Sequence, residues 1–458
     1  MQQKVNKTLA VVLLAGVIFI LAGGIIGLGL APIAPLLVAI AWIILVMRLA
    51  GVSFKDAQSA LIQGIEAGIA PLFLFLLIGS MIALWLGTGV IPTMIWLGFK
   101  LINPTWFLPT ALLTSALVGT MIGSAFTTMS TVGVALMGVG TTLGFNPALV
   151  AGMIISGAIF GDKSSPLADS TNLAAAVSGT DLFAHLRNLM WTTLPAMAVT
   201  LFLAFFFGFA HHAGAVNTKT AAVTQLIQPT WWTIVPIALI LLSALAKIPA
   251  IPSLLINVTV NTVYYLFSGH SLTAWADLIV KGYKTSSTNP TLIALLNRGG
   301  MTAMMETIML IMLALALGGL LSNLGILRAV MNPIVSRLHS QKSLVFSTLM
   351  TGIATNFLVG EQYLSVMLPG QIFKEDYRRF GLSPLALSRA MEDSGAIANY
   401  LVPWGVAGAF ASQTLHVSVL AFVPFTFLAL FSPVFSLLSA LTGIGLRQAS
   451  QDEEEAKA

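Results

Sequence analysis

The chain has 458 residues, 57% hydrophobic and only 8% charged, with a mean hydropathy of +0.93; an ordinary soluble domain is about 25% charged. Apolar runs of roughly twenty residues recur along it, which excludes a soluble fold and defines a polytopic helical membrane protein. There is no cysteine, so disulfides and thiolate metal sites are excluded, and the net charge of +5 sits in Lys and Arg near span ends, a mark of topology rather than of nucleic-acid binding.

The N-terminal MQQKVNK followed by an apolar run mimics a signal peptide. The run from Leu9 to Leu30 is longer than a typical signal core, so it reads as a retained first span. Further apolar segments follow at 32–50, 67–87, 107–143, 146–178 and 188–210. A Thr-rich polar connector occupies 211–229, with His211 and His212 as polar loop residues. Apolar segments resume at 231–246, 249–268, 301–321, 343–370, 384–410 and 418–445. Segments 53–66 and 271–284 mix charge with Leu and Ile and read as interfacial helices. The acidic end, 448–458, reads as a solvated tail.

The two halves share their backbone punctuation. Adding 237 takes Thr114 to Thr351, Gly123 to Gly360, Gly133 to Gly370, Gly144 to Gly381, Pro147 to Pro384 and Pro166 to Pro403. The tetrapeptide SGAI stands at 156–159 and again at 394–397. The matched residues are mostly Gly and Pro, so what repeats is the pattern of breaks. The loop at 374–379 (KEDYRR) is basic, whereas its counterpart at 140–146 carries no charge. Lys and Arg accumulate on the cytoplasmic side, so equivalent loops face opposite sides, as in an inverted-topology repeat. With the N-terminus inside, Arg48, Lys55, Arg187, Lys247, Arg328 and Arg447 all fall inside and the 211–229 connector falls outside. Segments 107–143 and 343–370 must then each start and end on one side, as a re-entrant hairpin or as a pair of spans. Polar residues at their middles favour hairpin tips, near Gly123–Thr131 in the first and Asn356–Glu361 in the second.

The expected architecture is all-α, with about ten spans and two hairpins. Residues 1–210 and 230–447 form the two inverted repeats, each with a re-entrant hairpin and an interrupted helix.

Chemistry concentrates in Ser156 to Asn172, SGAIFGDKSSPLADSTN. Charge inside a bilayer survives mainly where it faces a cavity, an ion or a partner. Asp162 and Asp169 flank Pro166 and can approach one ion from the two ends of an unwound stretch. A hard cation such as sodium takes oxygen ligands. Carboxylates, hydroxyls of Ser164, Ser165, Ser170 and Thr171, the Asn172 amide and freed carbonyls supply them. Burial disfavours the charged form of a carboxylate, so such a group can also hold a proton. If proton and sodium share it, each expels the other. The competing reading is that the two acids neutralise Lys163 and cap helix ends, with Asp169 as an N-cap. Lys163 itself can pair with a neighbouring Asp, compete with the ion, or contact a substrate anion.

In the second half, Glu361 aligns with Ser124 at the expected hairpin tip. Glu392 and Asp393 lie a turn from Arg389, which could pair with them. Proton handling and structural roles both stay open for these three acids. Ser124, Thr127 and Thr128 could supply hydroxyl ligands, although such groups also bond back to their own helix. Glu306 lies in an apolar run near Arg298, either on a proton pathway or near the interface. His185 reads as a surface residue near the cytoplasmic face.

These residues resemble a family. GDKSSPLADSTNLA followed by GTDLFAHLRNLMWTT, GSAFTTMSTVGVALMGVG at 123–140 and EDSGAIANYLVPW at 392–404 look like the NhaC-type sodium/proton antiporters, over most of the chain from Ile78 to Val419. The resemblance implies a re-entrant hairpin and an interrupted helix in each inverted half. It also implies secondary exchange of sodium for protons across the cytoplasmic membrane, with both termini cytoplasmic. The family also contains exchangers coupling sodium to small carboxylates such as malate and lactate, which is the alternative; a passive channel is a weaker one. After LVPW the family pattern has Asn-Thr, whereas this chain has Gly405 and Val406, so two oxygen ligands are missing there. Nothing resembles a nucleotide-binding loop or a catalytic triad, so neither an ATP-driven pump nor an enzyme is expected.

The site expected to hold sodium is Asp162, Asp169, Ser165, Thr171, Asn172, Ser124, Thr127 and Thr128. Proton coupling is expected at Asp162, Asp169, Glu361, Glu392 and Asp393, with Lys163 modulating. No cofactor is expected, sodium being substrate. The partners expected are sodium, protons and the lipid bilayer, with room for a homodimer and none for nucleic acid.

Overall fold

The computed structural model describes residues 5–66, 68–101, 103–210, 228–246, 248–289, 292–293, 296–335 and 338–449. Most of the 211–229 connector, with His211 and His212, lies outside them, as do Lys247 and 450–458 of the tail. Among the described residues the chain is all-helical, apart from one antiparallel bridge between Leu382 and Gln448. Seven helices are long and apolar enough to cross a membrane, or eight if the pair Val406–Leu415 and Val419–Phe425, bent by 90°, counts as one span. Three shorter apolar helices accompany them. Phe202, Phe206 and Phe209 stand exposed along the longest helix, as a lipid-facing stripe requires.

In the first half, α1 (Lys7–Ala22) and α2 (Ile33–Leu49) pair with each other. The amphipathic α3 (Phe54–Glu66) follows where an interfacial helix was expected. Then come α4 (Ile69–Gly87), α5 (Val90–Leu101) and α6 (Phe107–Ile122). Beyond Gly123 the chain restarts as α7 (Ala125–Thr128), a π-turn at Met129–Gly133, and α8 (Val134–Thr142). Helices α9 (Pro147–Ser164), α10 (Asp169–Ser178) and α11 (Leu182–Ala210) complete it.

The second half has α12 (Ile234–Leu245), α13 (Ala250–Phe267), the amphipathic α14 (Leu272–Lys281), α15 (Met301–Asn323) and α16 (Ile326–Val335). Helices α17 (Gln341–Val359) and α18 (Gln362–Arg379) follow, packed on each other across Gly360. After α19 (Pro384–Met391) come a π-turn at Glu392–Ala396 and a 3-10 turn at Ala398–Leu401. The chain closes with α20 (Val406–Leu415), α21 (Val419–Phe422) and α22 (Phe427–Thr442). The KEDYRR stretch, expected as a loop, is helical: α18 carries on through it to Arg379, because nothing in it breaks a helix before Gly381 (φ +71°).

The breaks recur at the expected spacing. Gly123 and Gly360 both end a helix in the left-handed conformation, with φ of 70° and 71°. Pro147 and Pro384 both open a helix, behind the N-caps Asn146 and Ser383. Ser165 and Val402 are both extended, at ψ of 132° and 121°, because each precedes a proline that disfavours helical backbone before it. Adding 237 also carries α10 onto α20 from end to end.

Gly157 and Gly161 do not break α9, which runs unbroken from Pro147 to Ser164. They let α6 approach it: a Cβ at Gly157 would lie 2.3 Å from the Leu112 carbonyl oxygen, and one at Gly161 would lie 2.5 Å from the Gly119 Cα. Small residues at such crossings are how membrane helices come into close contact.

Candidate functional site

The site is built where the first-half breaks meet. Helix α9 stops at Ser165 and α10 starts at Asp169, leaving four residues of irregular backbone between the two carboxylates. The Asn172 side-chain amide locks this stretch by donating to the carbonyls of Pro166 (3.0 Å) and Ala168 (2.8 Å). Its donors are thereby spent on the backbone. The N-cap of α10 is Ala168, with Asp169 in the first turn, so Asp169 does not cap the helix. The second break, at Gly123, lies directly beneath: a Cβ there would meet the Leu167 Cβ at 2.6 Å and the Ser165 hydroxyl at 3.0 Å.

A cavity of about 670 Å³ opens at this junction. Asp162, Asp169, Ser170, Ser124 and Thr127 all line it. Asp162, in the last turn of α9, is half-buried; it faces the Ala125 backbone N–H and lies 3.5 Å from the Ser170 hydroxyl. Asp169 is exposed to the cavity and accepts from the Tyr363 hydroxyl at 3.4 Å. The Ser124 hydroxyl caps α7 and receives the Thr127 hydroxyl at 3.1 Å. Thr128 turns away and donates to the Ser124 carbonyl at 2.9 Å. Ser165 is buried and its hydroxyl accepts the Leu167 N–H at 3.3 Å. The Thr171 hydroxyl is fully buried with no hydrogen-bond partner.

Behind this wall lies a second layer of charge. Lys163 and Asp393 form a buried ion pair across the two halves, 1% and 0% exposed. Pairing of Lys163 with its chain neighbours Asp162 or Asp169, the expected arrangement, does not occur, because its ammonium is taken by Asp393 on the π-turn that packs against it from the second half. Arg389 does not pair with Glu392 or Asp393 either. It donates to the Gly445 carbonyl at 2.7 Å and the Ser439 hydroxyl at 2.8 Å, tying α19 to the end of α22. Glu392 is fully buried, sits close to Ser170 and Asp162, and neither of its oxygens completes a hydrogen bond. His185 is buried rather than on the surface, its Nδ1 2.7 Å from the Ser388 hydroxyl, because α11 packs against α19.

Glu361 lies at the second-half break, where it is the N-cap of α18 and accepts the amides of Tyr363 (2.8 Å) and Leu364 (2.6 Å). Glu306 is exposed near the start of α15, away from this cluster.

Three residues outside the expected set line the cavity, Gln362, Tyr363 and Tyr400; a fourth, Asn399, lies at the matching break of the second half. Asn399 was legible in principle, since adding 237 to Asp162 reaches it. It is fully buried, donates to the Asn356 side chain at 2.8 Å and accepts the Ala407 N–H at 2.7 Å. The halves are therefore chemically unequal. The position that offers a carboxylate in the first offers a satisfied amide in the second.

A family model described as the Na+/H+ antiporter family matches residues 157–444, which include both broken helices. The chain belongs to the Na+/H+ antiporter family. Among its relatives is the Na(+)/H(+) antiporter NhaC of Alkalihalophilus pseudofirmus, 35% identical over 97% of this chain and 98% of that one. The NhaC of Bacillus subtilis is 34% identical over 95% and 98%. A more distant member, the malate-2H(+)/Na(+)-lactate antiporter of Bacillus subtilis, is 31% identical over 86% and 85%. The match places the carboxylate-bearing break and the buried Lys163–Asp393 pair inside the part of this Na+/H+ antiporter family member that carries its family signature.

Proposed function

We propose that this protein is a secondary transporter that exchanges sodium for protons across the cytoplasmic membrane. The observation that carries the reading is Asp162: a carboxylate in the last turn of α9, where the chain breaks before Pro166, facing a cavity that also presents Asp169, Ser170, Ser124 and Thr127. These oxygens suit a hard monovalent cation, by the logic that governs calcium and magnesium sites. Asp162 alternates between sodium and a proton, so arrival of one releases the other. Lys163 balances Asp393 behind it and modulates the field at the site. Asp169 carries a proton or binds the ion at the cavity mouth, and Glu392 is the second candidate proton carrier.

The halves 1–210 and 230–447 act as inverted repeats, the hairpin of each meeting the interrupted helix of the same half. In support, Gly123 lies against Ser165 and Leu167, while Gly360 accepts the Val406 N–H at 2.8 Å. The charge asymmetry between the 140–146 and 374–379 segments favours both termini in the cytoplasm and the connector outside. Alternating access moves one broken-helix pair relative to its surroundings.

Exchange of an organic acid is the less favoured reading. The described residues lining the cavity carry two carboxylates and no cationic side chain, and Lys163 is spent on Asp393. Purified protein in proteoliposomes decides between them. An inward sodium gradient should alkalinise the lumen without malate or lactate present. A response that requires either acid would overturn the sodium/proton assignment.

A further inference from the structure

The stretch Arg298-Gly299-Gly300 leads into α15 pressed against α4. Gly299 and Gly300 take positive φ, +78° and +89°, which glycine adopts at no steric cost. A Cβ on Gly299 would lie 2.6 Å from the Ala83 nitrogen. The Gly300 N–H donates to the Gly79 carbonyl at 2.7 Å, and the Tyr283 N–H donates to the Arg298 carbonyl at 3.1 Å. The Gln413 side-chain amide donates to the Ala303 carbonyl at 2.6 Å, which ties the last turn of α20 to the first turn of α15.

A second cavity lies between these elements. It measures about 10 Å³, room for a single water-sized body. Arg298, Gln413, Thr414 and His416 line it, and none of the described lining residues is Asp or Glu. It shares no lining residue with the cavity at Asp162. Thr414 is 2% exposed and its hydroxyl has no hydrogen-bond partner, so its O–H is open to an occupant. His416 stands beside the Arg298 guanidinium, and even a neutral imidazole keeps one N–H. The first turn of α15 also carries amides without an intrahelical partner, and its N-cap, Gly300, has no side chain to satisfy them. Helix dipoles do not decide the sign of the site. The carboxyl end of α20 brings about half a negative charge and the amino end of α15 about half a positive one. The permanent charge of the guanidinium therefore sets it.

We propose that this cavity is an anion site, sized for one monatomic monovalent anion such as chloride or bromide. The anion accepts from the Arg298 guanidinium and the Thr414 hydroxyl together, in charge-assisted hydrogen bonds. It thereby clamps the start of α15 to the end of α20. A polyatomic anion such as gluconate does not fit the space.

Thermal unfolding of the purified protein in mixed micelles tests the proposal, followed by tryptophan fluorescence. Sodium concentration and ionic strength are held constant while gluconate is replaced stepwise by chloride, and in a parallel series by bromide. A ligand that binds only the folded state stabilises it in proportion to occupancy, so Tm should rise saturably, by roughly 2 °C or more. Thr414→Val matches the size of the side chain and removes the hydroxyl. It should unfold no earlier than the wild type in gluconate, and need roughly threefold or more chloride for half of the rise. Arg298→Gln should lose the rise; if that variant does not fold, Thr414→Val decides alone. Equal Tm in chloride and gluconate marks a bound water only and overturns the proposal. So does an identical chloride response in Thr414→Val, which marks a general salt effect. Because sodium is constant throughout, either failure leaves the exchange reading standing.

Discussion

The ion pair between Lys163 and Asp393 ties the last turn of α9 to the π-turn after α19, and its removal from one side should be costly. Both side chains are essentially unexposed, and the second Asp393 oxygen has no hydrogen-bond partner. Lys163→Met leaves Asp393 beside Glu392, two buried acids with no cation between them. Asp393→Asn leaves a buried ammonium whose nearest remaining acid is Glu392. Breaking one side of such a pair costs about 3–5 kcal/mol, which shifts an unfolding equilibrium by at least about a hundredfold at 1.4 kcal/mol per decade. Asp393→Asn should fall at the lower end, because Glu392 can move in as a substitute partner. Replacing both, as Lys163→Met with Asp393→Leu, removes the desolvation of two charges and should recover most of the loss. The assay is denaturant-induced unfolding of the purified protein in mixed micelles, followed by the fluorescence of its nine tryptophans. Single variants within about 1 kcal/mol of the wild type, as for a solvent-exposed pair, would refute the reasoning. So would a double variant no more stable than the singles.

Three further outcomes follow from the same geometry. Gly161→Val forces a Cβ to within 2.5 Å of the Gly119 Cα and the Thr120 nitrogen. Overpacking of this kind costs about 1–3 kcal/mol or more, so the variant should lose its monodisperse peak in size exclusion, whereas Gly27→Ala, with open space around it, should keep it. Apparent sodium affinity should improve as pH rises, because protons and sodium compete for Asp162; the sodium KM should fall by up to about tenfold per pH unit while the site is mostly protonated, then level off. A sodium KM that does not change with pH contradicts a shared site. Because the chain has no native cysteine, single cysteines report accessibility directly. Ser124→Cys and Gln362→Cys, both in the cavity wall, should react with membrane-impermeant thiol reagents and be slowed by sodium. Leu117→Cys, on a 65% exposed apolar face of α6, should stay unreactive in lipid.

The backbone breaks were legible in the sequence because they depend on local rules. A proline restricts the residue before it, which places the extended residues at Ser165 and Val402. Glycine tolerates the left-handed conformation that ends a helix, which places the stops at Gly123 and Gly360. The approach of Asp162, Asp169, Ser124 and Thr127 to one cavity was also anticipated, since each borders a break. The partners of the buried charges were not legible. Lys163 and Asp393 are 230 positions apart, and their meeting depends on how two separate helices are rotated. A reading based on chain neighbours therefore paired Lys163 with the wrong acid and gave Arg389 a partner it does not take. His185 read as a surface residue because it follows Asp181 at helical spacing near the expected cytoplasmic face, yet the packing of α11 on α19 buries it. Asn399 was missed because attention went to charge. The repeat spacing pointed to it, but an amide carries no sign of function until its position is compared with that of Asp162.

Sodium-driven proton movement in Asp162→Asn tests the central claim most directly. The asparagine preserves size and one carbonyl oxygen but cannot cycle a proton. Reconstituted beside the wild type and assayed from about pH 6 to pH 9, around the physiological titration range, the variant should insert and fold normally yet show no sodium-dependent proton flux at any pH. Antiport unchanged in Asp162→Asn across that range would contradict the account and move the exchange site to Glu361 or to Glu392 and Asp393, the other buried acids at the backbone breaks.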